Sequence, residues 1–217
     1  MFQLGISAAC AYVRKSLDEL TSVEDIGMLA SPDAIDLHKI VENSIIEAAV
    51  RVHERASSIL MEGVKGTQDT DYSATPNSSD LSVTITMKKK TVRVVSIKAS
   101  DSDVVVTELI PEDSAEGRKQ KNPHIRGTHD DPRVVLNKMW AGDHMPKVTY
   151  YSAKASLPAF ELEYVPYPEI DENTILICSR LEYAVLNELT AMVMDSFGLT
   201  ERAALHRNKA NEILDRK

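Results

Sequence analysis

The sequence predicts an α+β fold: long helices at both ends packed as a small bundle, and an antiparallel β-rich middle region carrying long docking loops. Three observations predict it. Apolar residues recur at three- and four-residue spacing near both termini, they alternate with polar residues from Leu81 onward, and no internal repeat divides the chain. The predicted organisation is a helical core formed by 1–65 and 173–217, with 66–172 as a β-rich insertion.

At the N-terminus, Leu4, Ala8, Ala9, Tyr12, Val13 and Leu17 fall at helix spacing over residues 1–20. Ser31-Pro32-Asp33 is a helix start, because a hydroxyl cap precedes a proline at the first helical position and an acid in the first turn. The stripe Leu37, Ile40, Val41, Ile45, Ala48, Ala49, Val52 and Ala56 then continues to about Ser57, a rod of roughly 35 to 40 Å at 1.5 Å per residue. Residues 66–80 are polar and turn-rich, so they read as a loop. Leu81, Val83, Ile85 and Met87 alternate with Ser82, Thr84 and Thr86, the pattern of a half-buried strand. Lys88-Lys89-Lys90 separates that strand from Val92, Val94 and Ile97, and a third run covers 104–110; an antiparallel meander is expected.

Residues 111–132 form the longest irregular stretch, charged in both signs. The segment 134–140 suits either a short helix or a strand. Residues 148–151 and 160–164 read as two strands around a Ser-Leu-Pro turn, and Ile175-Leu176-Ile177 as a short buried strand. The C-terminal forty residues form a helical hairpin. Ser179-Arg180-Leu181-Glu182 has the spacing of a capping box, Leu181, Ala184, Val185, Leu189, Met192 and Val193 make the stripe, and Gly198 suits a left-handed cap. Thr200 opens the second helix, in which Ala203, Ala210, Ile213 and Leu214 make a small-residue face.

Composition excludes several classes. A formal net charge of −8 opposes a broad non-specific grip on nucleic acid, since that affinity comes from Lys and Arg neutralising phosphates. Cys10 and Cys178 are far apart, and no basic-then-apolar leader precedes them, which points to synthesis in a reducing, intracellular compartment. No window approaches eighteen uninterrupted apolar residues, so a soluble protein with no membrane partner is expected.

Catalytic signatures are weak. His124, His129, Asp130, Asp131, Asp143 and His144 gather groups able to hold a metal, but no spacing fixes their geometry. A metal-dependent hydrolase or nuclease using His129, Asp131 and His144 is therefore the alternative reading. There is no Gly-x-Ser-x-Gly, and Gly63-Val64-Lys65-Gly66-Thr67 lacks the spacing of a phosphate loop. Lys88, Lys89 and Lys90 suit either phosphates or a solvated turn protected from edge pairing by charge. No catalytic, cofactor or metal-binding residue is assigned. The candidate interaction residues are Leu37, Ile40 and Val41 on the long helix, Arg118, Lys119, Lys121 and Arg126 on the long loop, and Ala203 and Ala210 near the C-terminus.

The early helix, the β-rich middle and the closing segment Leu199-Thr200-Glu201-Arg202-Ala203-Ala204 with Lys209-Ala210 and Asp215 resemble the head-to-tail connectors, the adaptor or ring proteins of short-tailed bacteriophages, including the crAss-like group. The resemblance implies a structural virion protein, made in the host cytoplasm, that forms a homo-oligomeric ring, expected to be a dodecamer, at the head–tail junction. Its implied partners are the portal protein and other tail or ring proteins, with double-stranded DNA passing through the channel without specific binding during genome ejection.

Overall fold

The computed structural model describes residues 1–18, 37–77, 82–137, 144–151 and 159–215. The protein is α+β, with helices at both ends and sheets between; 40% of the described residues are helical and 32% strand, so neither class dominates. It divides into two compact units, Met1–Met61 with Pro168–Lys217, and Glu62–Tyr167. Sequence reasoning sets the insertion at 66–172. No helix among the described residues is long and apolar enough to cross a membrane.

The helices are α1 (Ile6–Asp18), α2 (Leu37–Arg55), α3 (Ala115–Lys119), α4 (Glu182–Ser196) and α5 (Thr200–Leu214), with 3₁₀ turns at Ser58–Leu60 and Ser179–Leu181. The strands are β1 (Phe2–Gly5), β2 (Val64–Gly66), β3 (Tyr72–Asn77), β4 (Ser82–Met87), β5 (Thr91–Ala99), β6 (Val105–Val106), β7 (Leu109–Pro111), β8 (Arg133–Asn137), β9 (Lys147–Tyr151), β10 (Phe160–Pro166), β11 (Ile170–Asp171) and β12 (Thr174–Ile177). The expected helix start at Ser31-Pro32-Asp33, Leu81 of the expected strand and the Ser-Leu-Pro turn lie outside the described residues.

In the helical unit, α4 packs against α1, α2 and α5. Its expected stripe is too narrow, because Leu186, Asn187, Glu188, Thr190, Ala191 and Met194 are buried as well. A helix buried over most of its circumference must satisfy its buried polar groups within the protein. Thr190 Oγ1 donates to the Leu186 carbonyl at 2.7 Å, and the Asn187 amide nitrogen donates to the Tyr183 carbonyl at 2.8 Å. Glu188 accepts from Arg55 at 2.8 Å and pairs with Arg51 at 3.6 Å. Ser179 does not stand at the cap position of α4. A 3₁₀ turn precedes α4, and Leu181 takes the cap position, where its fully buried side chain fixes the entry of the chain. Leu199, rather than Thr200, likewise stands at the cap of α5. Gly198 does close α4: at φ +76° it allows Leu199 N–H to reach the Met194 carbonyl at 3.0 Å and Gly198 N–H the Asp195 carbonyl at 2.9 Å, the paired bonds of a Schellman turn.

The first residues are a strand before they are a helix. β1 pairs antiparallel with β12, Phe2 opposite Ile177 and Leu4 opposite Ile175, and β11 completes a three-stranded sheet. Both ends of the chain therefore build one unit. His53 on α2 ties it further: its Nδ1 is 2.6 Å from the Ala49 carbonyl, and its Nε2 accepts from the Cys178 amide at 3.1 Å. These contacts define the neutral tautomer protonated on Nδ1. Burial holds the imidazole below its ordinary value of 6.5, while the Ala49 bond opposes the shift. The unfolded chain takes up a proton that the folded chain resists, so stability is full above about 6.5 and falls as pH drops below it. Urea midpoints measured between pH 8 and pH 5 should show this decline, and His53→Gln should flatten it.

The second unit is a β-sandwich. One sheet has the order β2-β10-β5-β6 and the other β3-β4-β9-β8-β7. Tyr72, Val83, Ile85, Met87, Val134, Val148 and Tyr150 on the five-stranded sheet meet Val94, Ile97, Ala99, Phe160, Leu162 and Tyr164 on the four-stranded one. Tyr150 and Phe160 pack edge to face, with ring centroids 5.3 Å apart.

This topology corrects the expected meander. β4 and β5 are adjacent in sequence but lie in different sheets. Their connection is a corner: Met87 N–H bonds to the Pro146 carbonyl, Lys88 N–H to Asp71 and Thr91 N–H to His144. The run 104–110 also divides, with β6 joining β5 and β7 joining β8. Residues 148–151 and 160–164 form β9 and β10 in opposite sheets. The expected loop at 66–80 contains β3, paired with β4 over Tyr72 to Asn77. Residues 134–137 are strand, in β8. On β5, a register shift opposite Glu163 and Tyr164 leaves Val95 as an extra residue, which turns both Val94 and Ile97 toward the core despite their odd separation.

Candidate interaction surfaces

The structure separates the candidate interaction residues into two groups. Val41, Ala203 and Ala210 are fully buried within the helical unit, and Ala203 packs with Ala191 and Met194. Their small or branched side chains let helices approach inside one chain, so they are core and do not face a neighbour. Leu37 and Ile40 are half-buried on α2. Arg118, Lys119 and Lys121 are exposed and Arg126 is half-buried.

The 111–132 stretch has a topological cause. β7 and β8 are parallel, Leu109 opposite Val134, and a parallel pair cannot be joined by a tight turn. The crossover carries its own hydrogen-bonded structure. Ser114 Oγ caps α3 by accepting from Gly117 N–H at 2.9 Å, and buried Gln120 accepts from Gly127 N–H at 2.8 Å. Lys121 pairs with Glu112 at 3.0 Å, and Asp131 with Arg133 at 2.8 Å. A cleft in the crossover is lined by Glu116, Lys119, Ile125, Arg126, Asp131 and Arg133. Gly117 is required by close approach, since a Cβ there would lie 2.2 Å from the Pro111 carbonyl oxygen. Gly117→Ala should cost about 1–3 kcal/mol of local stability. Hydrogen exchange should report it as lost protection at the amides of Arg118 and Gly127, with the protection of β4 and β9 unchanged.

Lys88, Lys89 and Lys90 are occupied within the chain. Lys88 Nζ donates to the Asp69 carbonyl at 2.6 Å, Lys89 pairs with Asp71 at 2.5 Å, and Lys90 lies 6.0 Å from the Tyr167 ring centre. The Lys89 ammonium, helped by the Thr67 amide, holds the buried Asp71 carboxyl below the usual carboxylate range. This corner braces the sandwich.

Where they are described, groups of the metal alternative make other contacts. Asp131 is engaged by Arg133, and the His144 ring lies 4.4 Å from that of Tyr167. Asp143 lies outside the described residues. Among the described residues, no three His, Cys, Asp or Glu side chains are grouped to hold an ion.

Two features escaped sequence reasoning. Tyr183 on α4 and Leu205 on α5 are 63% and 60% exposed although both helices form the unit's core. They sit on the outward sides of helices, where a periodicity search weights only the inward stripe. The second is Cys10 Sγ, which lies 3.5 Å from His38 Nδ1 across 28 residues of chain, a separation at which no local motif signals the pairing. No protein-family model and no curated protein matches the chain.

Proposed function

We propose that this chain is a structural virion protein, a subunit of a ring below the portal that joins capsid to tail and surrounds the path of the DNA. It acts by oligomerisation and docking, without turnover. The observation that carries the reading is the helical unit built from both chain ends, with Tyr183 and Leu205 left 63% and 60% exposed. Large apolar groups on rigid helices give neighbouring copies an anchor. The crossover loop supports a docking role, because it presents Arg118 and Lys119 from a held backbone. A net charge of −8 repeated around a ring would disfavour adhesion of DNA to the channel wall.

Native mass spectrometry of the purified protein tests the reading, with a closed ring expected and a stable monomer overturning it. Changing Tyr183 and Leu205 to Ser should release monomers with an unaltered circular dichroism spectrum, since neither side chain supports the core. Truncation after Gly198 is not equivalent, because it strips α5 from Ala191 and Met194 and tests folding instead.

A further inference from the structure

The cleft of the β7–β8 crossover contains a buried donor that the described residues leave unpaired. Gln120, which lines it, is 5% exposed. Its Oε1 accepts from Gly127 N–H at 2.8 Å, and that bond fixes which end of the amide is oxygen. The amide nitrogen has no acceptor among the described residues. An unpaired amide in a buried position costs about as much as a lost hydrogen bond, so an oxygen brought to it from outside the chain is favoured. The cleft has a volume of about 550 Å³, within the range that holds small ligands. Two further lining groups are open to a partner. Ile125 is 55% exposed, and the Lys119 ammonium has no ion-pair partner among the described residues. The other cations are engaged: Arg133 pairs with Asp131 at 2.8 Å, and Arg126 has contacts of its own. Glu116, three residues before Lys119 on α3, is the opposing exposed carboxylate.

We propose that this cleft binds an extended segment of a partner protein in which an acidic residue adjoins an apolar one. The Gln120 amide donates to the carboxylate, Lys119 supplies the opposite charge, and Ile125 covers the apolar side chain. Each group narrows the choice. A free N–H selects an oxygen acceptor, and a donor held in a buried position discriminates more sharply than one in water. The ammonium favours an anionic acceptor, because charge-assisted bonds are the stronger ones. The exposed isoleucine gains only from a ligand that also brings apolar surface. Glu116 opposes the acidic residue and keeps the affinity modest, which suits reversible docking. The inference rests on the docking role of the crossover given above and names the chemistry of what docks there. The cleft lies wholly within Glu62–Tyr167, so binding there does not depend on ring closure.

Saturation-transfer NMR on the full chain tests the site, with the capped peptide acetyl-Ala-Leu-Asp-Ala-amide and its Asn and Lys counterparts as probes. The Asp peptide should bind about fivefold more tightly than the Asn peptide and about tenfold more tightly than the Lys peptide. Gln120→Glu keeps the oxygen that Gly127 N–H needs and removes the donor, so it should weaken the Asp peptide about tenfold. Lys119→Ala should weaken it about threefold, and Glu116→Gln should strengthen it about threefold. Both of those side chains are exposed, so their effects are read on an intact fold, and circular dichroism checks the Gln120 variant. Succinate, which carries carboxylates without an apolar side chain, should bind about tenfold more weakly than the Asp peptide. The proposal is overturned if the Asp peptide gives no saturation transfer, if its Asn or Lys counterpart or succinate binds equally, or if Lys119→Ala and Glu116→Gln leave its affinity unchanged. Native mass spectrometry reads ring formation separately, so failure of the peptide site and failure of the ring are told apart.

Discussion

Replacing Arg51 and Arg55 together with Ala is expected to destabilise the helical unit by about 3 kcal/mol, whereas replacing their partner Glu188 with Met is expected to cost under about 1 kcal/mol. The asymmetry follows from burial. The Glu188 side chain is 3% exposed on the enclosed helix α4, while Arg51 and Arg55 are 46% and 42% exposed. Removing the arginines strands a carboxylate that water cannot reach. Removing the carboxylate releases two guanidinium groups that rehydrate, and methionine fills much of the vacated volume. Arg55 also donates to Asn211 at 3.2 Å, so its loss loosens α5 from α2. Urea unfolding followed by the helical circular dichroism signal distinguishes the variants. Equal losses would show that the pair acts through Coulomb attraction alone, with no contribution from the stranded group.

Legibility in the sequence tracked how local the causes are. The hairpin of α4 and α5 was readable because its stop is local: Gly198 supplies a positive φ that the chain needs at one residue. The α+β class and the inward set Val83, Ile85 and Met87 were readable for the same reason, since period-two alternation is a property of neighbouring residues. Pairing was not. Lys88-Lys89-Lys90 looks like a hairpin tip, yet the Lys88 amide, the Lys90 carbonyl and the three side chains are held by Asp69, Asp71 and Tyr167, and those contacts turn the chain into the other sheet. The length of the crossover has a cause that is not local either, because the parallel pairing of β7 with β8 makes a long connection necessary and leaves no signature among neighbouring residues.

The candidate residues divide along the same line. Ala203 and Ala210 were recognisable as a packing face, but the sequence does not distinguish a face packed against the same chain from one packed against a copy. Cys10 and His38 meet only after α1 and α2 come together. Exposed Tyr183 was hidden by success elsewhere, because the stripe beginning at Leu181 explains the helix without it.

Tyr72 carries the second large effect. Tyr72→Ala is expected to destabilise the sandwich by about 4 kcal/mol, in the range for deleting a buried aromatic, and Tyr72→Phe by about 1 kcal/mol. Tyr72 stands at the start of β3, 1% exposed, inside a stretch whose Thr, Asp, Ser and Asn content made it read as loop. Its ring belongs to the five-stranded sheet, and its hydroxyl donates to the Phe160 carbonyl on the four-stranded one at 2.5 Å. Burial raises the phenol above its ordinary value, reinforced by Asp69 and Asp71, so the hydroxyl remains a donor at neutral pH. The Ala variant removes both the ring that fills the space between sheets and the bond that joins them. The Phe variant removes only the bond, and the difference between the two measures the packing. Near-ultraviolet circular dichroism through a urea titration would report the loss, because Tyr72, Tyr150 and Tyr164 are buried in this core. A Phe variant as unstable as Ala would place the tie between the sheets in the hydroxyl rather than the ring.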